Sequence, residues 1–476
     1  MTPFVLAVDV ATADVRVLAV DAGGRVLASA SSPLPAPRRD RPGWSEQRSV
    51  HADTAERVLA VVTAQLGGAV RPEAVTVTAT SGTVVPCSGR LAATGPALLY
   101  DDRRAEDPGS GVDTSLTLTA PALARVAWLQ LHRPAERYAH AGDVVLARLA
   151  GCAVPTDTST ALKTGADPGT VSWPAHLLAA AGIVAAQLPE LALPTRRAGT
   201  VGRSAAAATG IPEGTPLLLG MTDGCAGQVA AGAVLQGQRA SVLGTTLVLK
   251  TVAPRPVTDP ALGVYSHLSP DGAWWTGGAS NAGAGVFRTT KGDLPARDEA
   301  AGRRGPAAAL RYPVPQPGER FPFVSAAAGG PLRGEPRDAA EAHRAFLDGV
   351  AYVERLGFDV LARRGAQGRG PVRTVGGGAN STVWLRIRAS VLGESMEVPA
   401  QPSSGFGAAV LAASASLHDG LGAAVDAMVR LARIVGPDPD QQPALASGYQ
   451  SFVSALEQRG WLTTELFSRT PHPIEG

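Results

Sequence analysis

Twice along this chain a short apolar, strand-like run leads into an aspartate. FVLAVDV at residues 4–10 carries Asp9 near its end, and PLLLGM at 216–221 runs into Thr222-Asp223-Gly224. Short aliphatic runs bounded by turn residues read as buried strands, so each acid is expected where a strand gives way to a loop. Four residues beyond the first run, DVRVLAV resumes at 14–20. Asp21-Ala-Gly-Gly24 then turns, and a third strand pattern follows at 25–29. The arrangement predicts an antiparallel meander. Residues 74–80, AVTVTAT, add a further strand. Asp53 followed by Glu56 fits a capping box and predicts a helix from near Thr54. The fold class this predicts is α/β.

Helical patterns cover 120–149, much of 176–193, 226–233, 340–361 and 406–413, and Tyr449, Phe452 and Leu456 mark a final helix. Strand patterns return at 240–250, around Gly244-Thr245-Thr246, and at 372–375, ahead of Gly376-Gly377-Gly378. Glycine and proline together form about a fifth of the 476 residues, above the usual share of roughly 12%. Many tight turns follow from that. The glycine-rich stretch at 232–240 is the candidate boundary between two large domains.

The 43 basic and 41 acidic side chains leave a net charge of +2, which gives no general attraction to nucleic acid or an anionic membrane. Cys87, Cys152 and Cys225 are too few, and too far apart, for a disulfide scaffold or zinc cluster. The first residues lack a basic start and a long apolar core, so no secretory signal is expected, and no apolar stretch has a spanning pattern. A cytoplasmic protein is expected.

Several polar turns can carry chemistry. Asp9, with Thr12 and Arg16 nearby, suits a metal ion or a phosphate, although a plain hairpin turn has the same composition. Asp223 can take a proton from a hydroxyl attacking phosphorus, or it can cap the helix that follows. Gly244-Thr245-Thr246 and Gly376–Gly378 with Asn380 permit close approach of phosphate or nucleoside. Neither is a Walker loop or a GxGxxG fingerprint. Ser81, Asp102 and Arg103 are candidate polyol ligands, Trp44 and Trp173 candidate sugar platforms, and Asp157, Lys163 and Asp167 line a polar loop. His51, His132 and His140 form no HExxH pattern, and Cys225 reads as a small buried filler.

In order along the chain, AVDVATADVRVLAVD, RPGWSEQ, ATSGT, LLYDDRRA, ALKTGAD, GMTDGCAGQVAAGA, SVLGTTLVLK and VGGGANSTVWLRIRASVLG resemble the FGGY carbohydrate kinases. The resemblance implies two actin-like (ribonuclease H-like) domains flanking a cleft. Residues 1–235 would bind sugar and carry the base, and 236–476 would bind nucleotide. It implies transfer of the ATP γ-phosphoryl group with Mg²⁺ to a small sugar or polyol, by a monomer or homodimer. By resemblance, Asp9 and Asp223 are catalytic and lie on the metal side, and Ser81, Asp102, Arg103 and Asp223 meet the acceptor. Thr12, Gly244, Thr245, Gly377, Gly378 and Asn380 would bind the nucleotide. The closest branch implied is that of D-ribulose and D-xylulose kinases, with D-ribulose the expected acceptor. D-xylulose, another polyol, or a weakened sugar- or nucleotide-binding regulator are the alternatives. Four positions depart from the family pattern: Ala11 replaces a glycine, Thr83 and Arg386 replace glutamines, and Ser404 replaces a glutamate.

Overall fold

Every residue of strand β1 (Phe4–Val10) is buried, as a continuous apolar run requires of a strand covered on both faces. The computed structural model describes residues 2–67, 70–287 and 293–462. β2 (Asp14–Asp21) alternates before becoming fully buried, and β3 (Val26–Pro33) is at most half-buried throughout, as an edge strand should be. With β4 (Ala74–Ala79), β5 (Arg197–Thr200) and β6 (Pro216–Thr222) they form one sheet in the order β5-β6-β4-β1-β2-β3. β1 to β3 make the expected antiparallel meander, whereas β1 and β6 both run parallel to β4. Val10 and Thr222 are both registered on Ala79. The ends of β1 and β6 therefore share one sheet edge, two strand spacings or about 10 Å apart.

Helix α1 spans His51–Gln65 and starts three residues earlier than expected. Val50 caps it without a side-chain bond. The expected box does not form, because Asp53 already lies inside the helix, and Glu56 pairs with Arg148 at 2.9 Å on α2 (Ala141–Ala150). The helical stretch expected at 120–149 is instead helix Pro121–His132, strand Arg137–His140 and α2. Pro134 interrupts it by removing a backbone donor.

The chain packs as two units. The first runs to Ala230 and adds His267–Gly272 and Ser403–Val429; the second holds Ala231–Ser266, Ala273–Pro402 and the chain from Arg430. The expected division at 235/236 lies near the first exit, but a single cut does not describe the packing. After Pro402 the chain returns to the first unit as α6 (Ser404–Ser416). There it lies against α3 (Asp223–Ala231) at Gly407, where a Cβ would stand 1.8 Å from the Ala226 carbonyl oxygen.

The second unit repeats the arrangement. The strand pattern expected at 240–250 is a hairpin of β7 (Arg239–Leu243) and β8 (Leu247–Ala253), turning at Gly244-Thr245-Thr246. β9 (Trp274–Ser280) extends it on one side, and β10 (Val372–Val375) runs parallel to β7 on the other. The amphipathic helix α4 (Ala339–Arg363) is capped by Asp338, which accepts the Glu341 N–H at 2.9 Å. Helix α5 (Thr382–Leu392) is tied to α4 by a fully buried pair, with Arg388 Nε 2.7 Å from Glu354 Oε2. Among the described residues, no helix is long and apolar enough to cross a membrane.

Two expectations about stability follow. Gly407→Ala should cost about 2–3 kcal/mol, since backbone rather than a flexible side chain fills the space. Gly227→Ala, with no heavy atom within 4 Å of the new methyl, should gain about 0.5–1 kcal/mol. Urea denaturation of the two variants checks both. His51 is 2% exposed, and burial lowers its pKa from 6.5 to about 4. Between those values the unfolded chain binds the extra proton, so this contribution is intact above pH 6.5 and lost as the pH falls toward 4. The wild type should lose about 3 kcal/mol more than His51→Leu between pH 7.5 and 4.

Candidate active site

Asp9 is 1% exposed, and burial is the main cause of its raised pKa, with the nearby charges of Asp223 and Asp14 adding to it. Ser404 and Arg16 act in the opposite direction. Ser404 Oγ donates to Asp9 Oδ2 at 2.7 Å, and Arg16 Nη1 lies 3.8 Å from the same oxygen. Arg16 is engaged more closely by Asp14, at 3.0 Å through Nη2. Ser404 is the first residue of α6, so the positive end of that helix also faces the carboxylate. Asp9 Oδ1 is buried without a hydrogen-bond partner.

Thr12 lies in the turn after β1. Gln47 fastens that turn, donating Nε2–H to the Thr12 carbonyl and to the Pro35 carbonyl, each at 2.8 Å. Ala11 is not among the described residues with positive φ. Its backbone therefore does not need the glycine of the family pattern, and only the added methyl distinguishes the position.

Asp223 opens α3 and is half-buried, with Oδ1 accepting the Gly224 N–H at 2.7 Å. Thr222 Oγ1 accepts from the Cys225 N–H at 3.4 Å, so the capping bond comes from Thr222. Cys225 is a buried filler, as expected, and Cys87 is inert, its thiol pushed to about 12 by burial.

The acceptor-side expectations need correction at Asp102. Its side chain is buried and occupied, because Oδ1 and Oδ2 take Arg104 Nε and Nη2 at 2.8 and 2.7 Å, and Oδ2 also takes the Ser45 N–H at 2.6 Å. The neighbour Arg104, missed in the sequence, is the buried arginine. It bridges Asp102 to Glu46, whose Oε1 it meets at 2.5 Å. Burial alone would raise the pKa of Glu46, but hydrogen bonds from Arg104 and Arg133 hold it below the usual range. Arg103 is exposed, with its backbone N–H on the Gly43 carbonyl at 2.7 Å. Trp44 is not an open platform, since the Arg104 and Arg41 guanidinium groups lie 3.8 and 4.6 Å from its ring centre. Trp173 donates Nε1–H to the Pro189 carbonyl at 3.0 Å and packs with the core. Ser81 is 8% exposed, and the aliphatic part of Lys163 lies beside its neighbour Gly82. Asp157 is buried and caps a short helix, whereas Asp167 forms an exposed turn with Gly169 and Thr170.

In the second unit, Gly244 and Thr245 sit at the tip of the β7–β8 hairpin. Their carbonyls accept from Ala284 and Gly285 at 2.9 and 3.0 Å. Gly376 and Gly378 are required by packing, because a Cβ on either would come within 2.5 Å of Leu243. Gly377 has no heavy atom within 4 Å of such a Cβ, and Asn380 is exposed. These loops follow adjacent parallel strands, β7 and β10, at their carboxyl ends, where open α/β sheets place ligands.

Comparison with known proteins agrees with this architecture. The family model described as "FGGY family of carbohydrate kinases, N-terminal domain" matches residues 4–230, and its C-terminal counterpart matches residues 240–416. The chain belongs to the FGGY family of carbohydrate kinases. It is 27% identical to the gluconokinase of Bacillus licheniformis over 262 residues, 51% of each chain, and so spans about half the length of that relative. It is 28% identical to the xylulose kinase of Streptomyces rubiginosus over 428 residues, covering 83% of this chain and 84% of that one. Its fold matches the ligand-bound xylulose kinase of Lactobacillus acidophilus with a TM-score of 0.85, covering 98% of this chain and all of the other, at 19% identity.

Arg104→Ala should destabilise the protein by about 3–5 kcal/mol, since it leaves two buried carboxylates without their shared partner. Arg104→Lys should recover little, because an ammonium cannot fork to both. Urea midpoints of the two variants test this.

Proposed function

We propose that this protein transfers the γ-phosphoryl group of ATP to a hydroxyl of a small open-chain sugar, with Asp223 as general base and Asp9 as the acid on the phosphate side. The single observation carrying this reading is the shared sheet edge that receives both carboxylates. One of them is buried with an oxygen left over.

The residues present suit Mg²⁺, which usually takes one or two carboxylates and fills its shell with water and phosphate oxygens. Asp9 Oδ1 would hold it, near Asp223. Among the described residues, no group of three or more His, Cys, Asp or Glu could hold a metal alone, so most of the shell falls to the nucleotide and water. When bound, the ion supplies neutralising charge to the phosphates.

The remaining work falls to this chain's own groups. Asp223, fixed at the start of α3, accepts the proton of the attacking hydroxyl. Ser404 and the α6 terminus hold Asp9 so that its free oxygen keeps one direction. The Thr12 turn, tied by Gln47, offers backbone donors. Gly244, Thr245, Gly377, Gly378 and Asn380 of the second unit are proposed to hold the nucleotide. Ser81 and Arg103 remain proposed acceptor contacts, and Asp102 acts through Arg104 as part of the wall.

For the acceptor we propose a ketopentose. The xylulose kinase relative, which aligns over most of both chains, supports D-xylulose. D-ribulose, the acceptor expected from the sequence, has no counterpart among the relatives described above and stands as the second ketopentose. Initial rates with D-xylulose, D-ribulose, L-ribulose, gluconate, glycerol and erythritol, with the product identified by mass, decide between them. Asp223→Asn should lower kcat about 10²–10⁴-fold, the range of a general base, while the protein stays folded. A folded variant with full transfer activity would overturn the assignment, and preference for gluconate or glycerol would overturn the ketopentose.

A further inference from the structure

The Met221–Thr222 peptide, one peptide unit before the one that carries Asp223, is gripped at both ends by side chains from outside its own strand. Thr78 Oγ1 donates to the Met221 carbonyl at 2.6 Å, and the Thr222 N–H donates to Ser159 Oγ at 3.0 Å. The Ser159 proton is committed elsewhere, to Asp157 Oδ1 at 2.5 Å. That oxygen also accepts the Ser159 and Thr160 N–H groups, each at 2.9 Å. Ser159 therefore presents a lone pair, and not its proton, to Thr222. Thr78, Ser159 and Thr222 are all at most 3% exposed, so water does not compete for these bonds. The register of β6 on β4 also breaks between Leu219 and Thr222. Ladder pairing resumes only at Thr222, opposite Ala79, and the two hydroxyls add a second hold on the peptide where the register has just shifted.

We propose that Ser159, with Thr78 opposite it, is a positioning residue for Asp223: the two hydroxyls set the plane of the Met221–Thr222 peptide, which through the Thr222 Cα fixes where the next residue, the base, begins. The inference rests on the reading of Asp223 as the base. A displacement of about 1 Å at a reacting group can cost on the order of 10²-fold in rate, and a freed peptide plane allows that much. Ser159 itself touches neither acceptor nor nucleotide in this account.

The test uses the full chain and the variants Ser159→Ala, Ser159→Thr, Thr78→Val and the Ser159→Ala/Thr78→Val pair. Kinetics on the best acceptor are combined with hydrogen exchange of the amides at 219–226. Ser159→Ala should lower kcat at least tenfold, leave the KM for ATP within threefold, and speed exchange at Thr222 at least tenfold. Ser159→Thr should restore at least half of kcat. The double variant should be no slower than the worse single variant, because both act on one peptide. Wild-type kcat in Ser159→Ala, an effect confined to KM, or unchanged exchange at Thr222 would overturn the proposal. Faster exchange with normal kcat would reduce Ser159 to a structural role and overturn it equally. If the wild type phosphorylates no acceptor, the kinase reading itself falls. The exchange measurement needs no turnover and still decides whether Ser159 holds the turn.

Discussion

Parallel pairing on both sides of one central strand is the constraint from which the candidate site follows. β4 accepts β1 on one side and β6 on the other, both running in its own direction. Strands that run parallel end on the same edge, so two acids more than two hundred residues apart in sequence meet there without any contact between them specifying it. Had β6 paired antiparallel, Asp223 would sit at the opposite edge from Asp9, however similar its local sequence. β1, β4 and β6 are nearly fully buried, so changing that direction would mean rebuilding the whole core.

Around that edge the chain spends buried polar groups on orientation. Ser404 arrives from the far end of the sequence to hold one oxygen of Asp9. Gln47 ties the turn after β1, and Ser159 and Thr78 hold the peptide before Asp223. Each of these side chains is small or neutral. The larger ionic investment, Arg104 between Asp102 and Glu46, lies in the wall of the first unit. Ion pairs of that kind hold loops in place at a desolvation cost, whereas neutral hydroxyls orient a carboxylate without adding a competing charge. Serine at position 404 thus holds Asp9 by a neutral hydrogen bond, and the cation beside that carboxylate, Arg16, stays at 3.8 Å. The second unit applies the same logic to backbone: Gly376 and Gly378 seat the loop on β7, and Gly377 faces open space.

Local pattern was enough to read the elements whose burial is continuous or periodic. β1, β4, β6, α4 and the strand before the triple glycine fall within a residue or two of where their apolar runs place them. It failed where a distant partner competes with a local one. Glu56 has capping-box spacing but pairs with Arg148, and 120–149 reads as helical although Arg137–His140 is a strand paired with Val84–Cys87. Of the acceptor residues, Asp102 has the right chemistry and the wrong neighbours. Composition cannot reveal that an arginine two positions on consumes both its oxygens.

The amino-acid sequence determined that Asp9 and Asp223 each stand near the end of a buried strand, because an aliphatic run that leads through an acid into a turn marks where a strand leaves the core. It also determined the order of motifs that mark the family. Tertiary structure alone decided that the two strand ends share an edge, that Ser404 bonds Asp9 and Ser159 the Thr222 N–H, and that Arg104, bridging to Glu46, occupies Asp102. Those outcomes depend on strand direction and on contacts between residues tens to hundreds of positions apart, and no local preference encodes them.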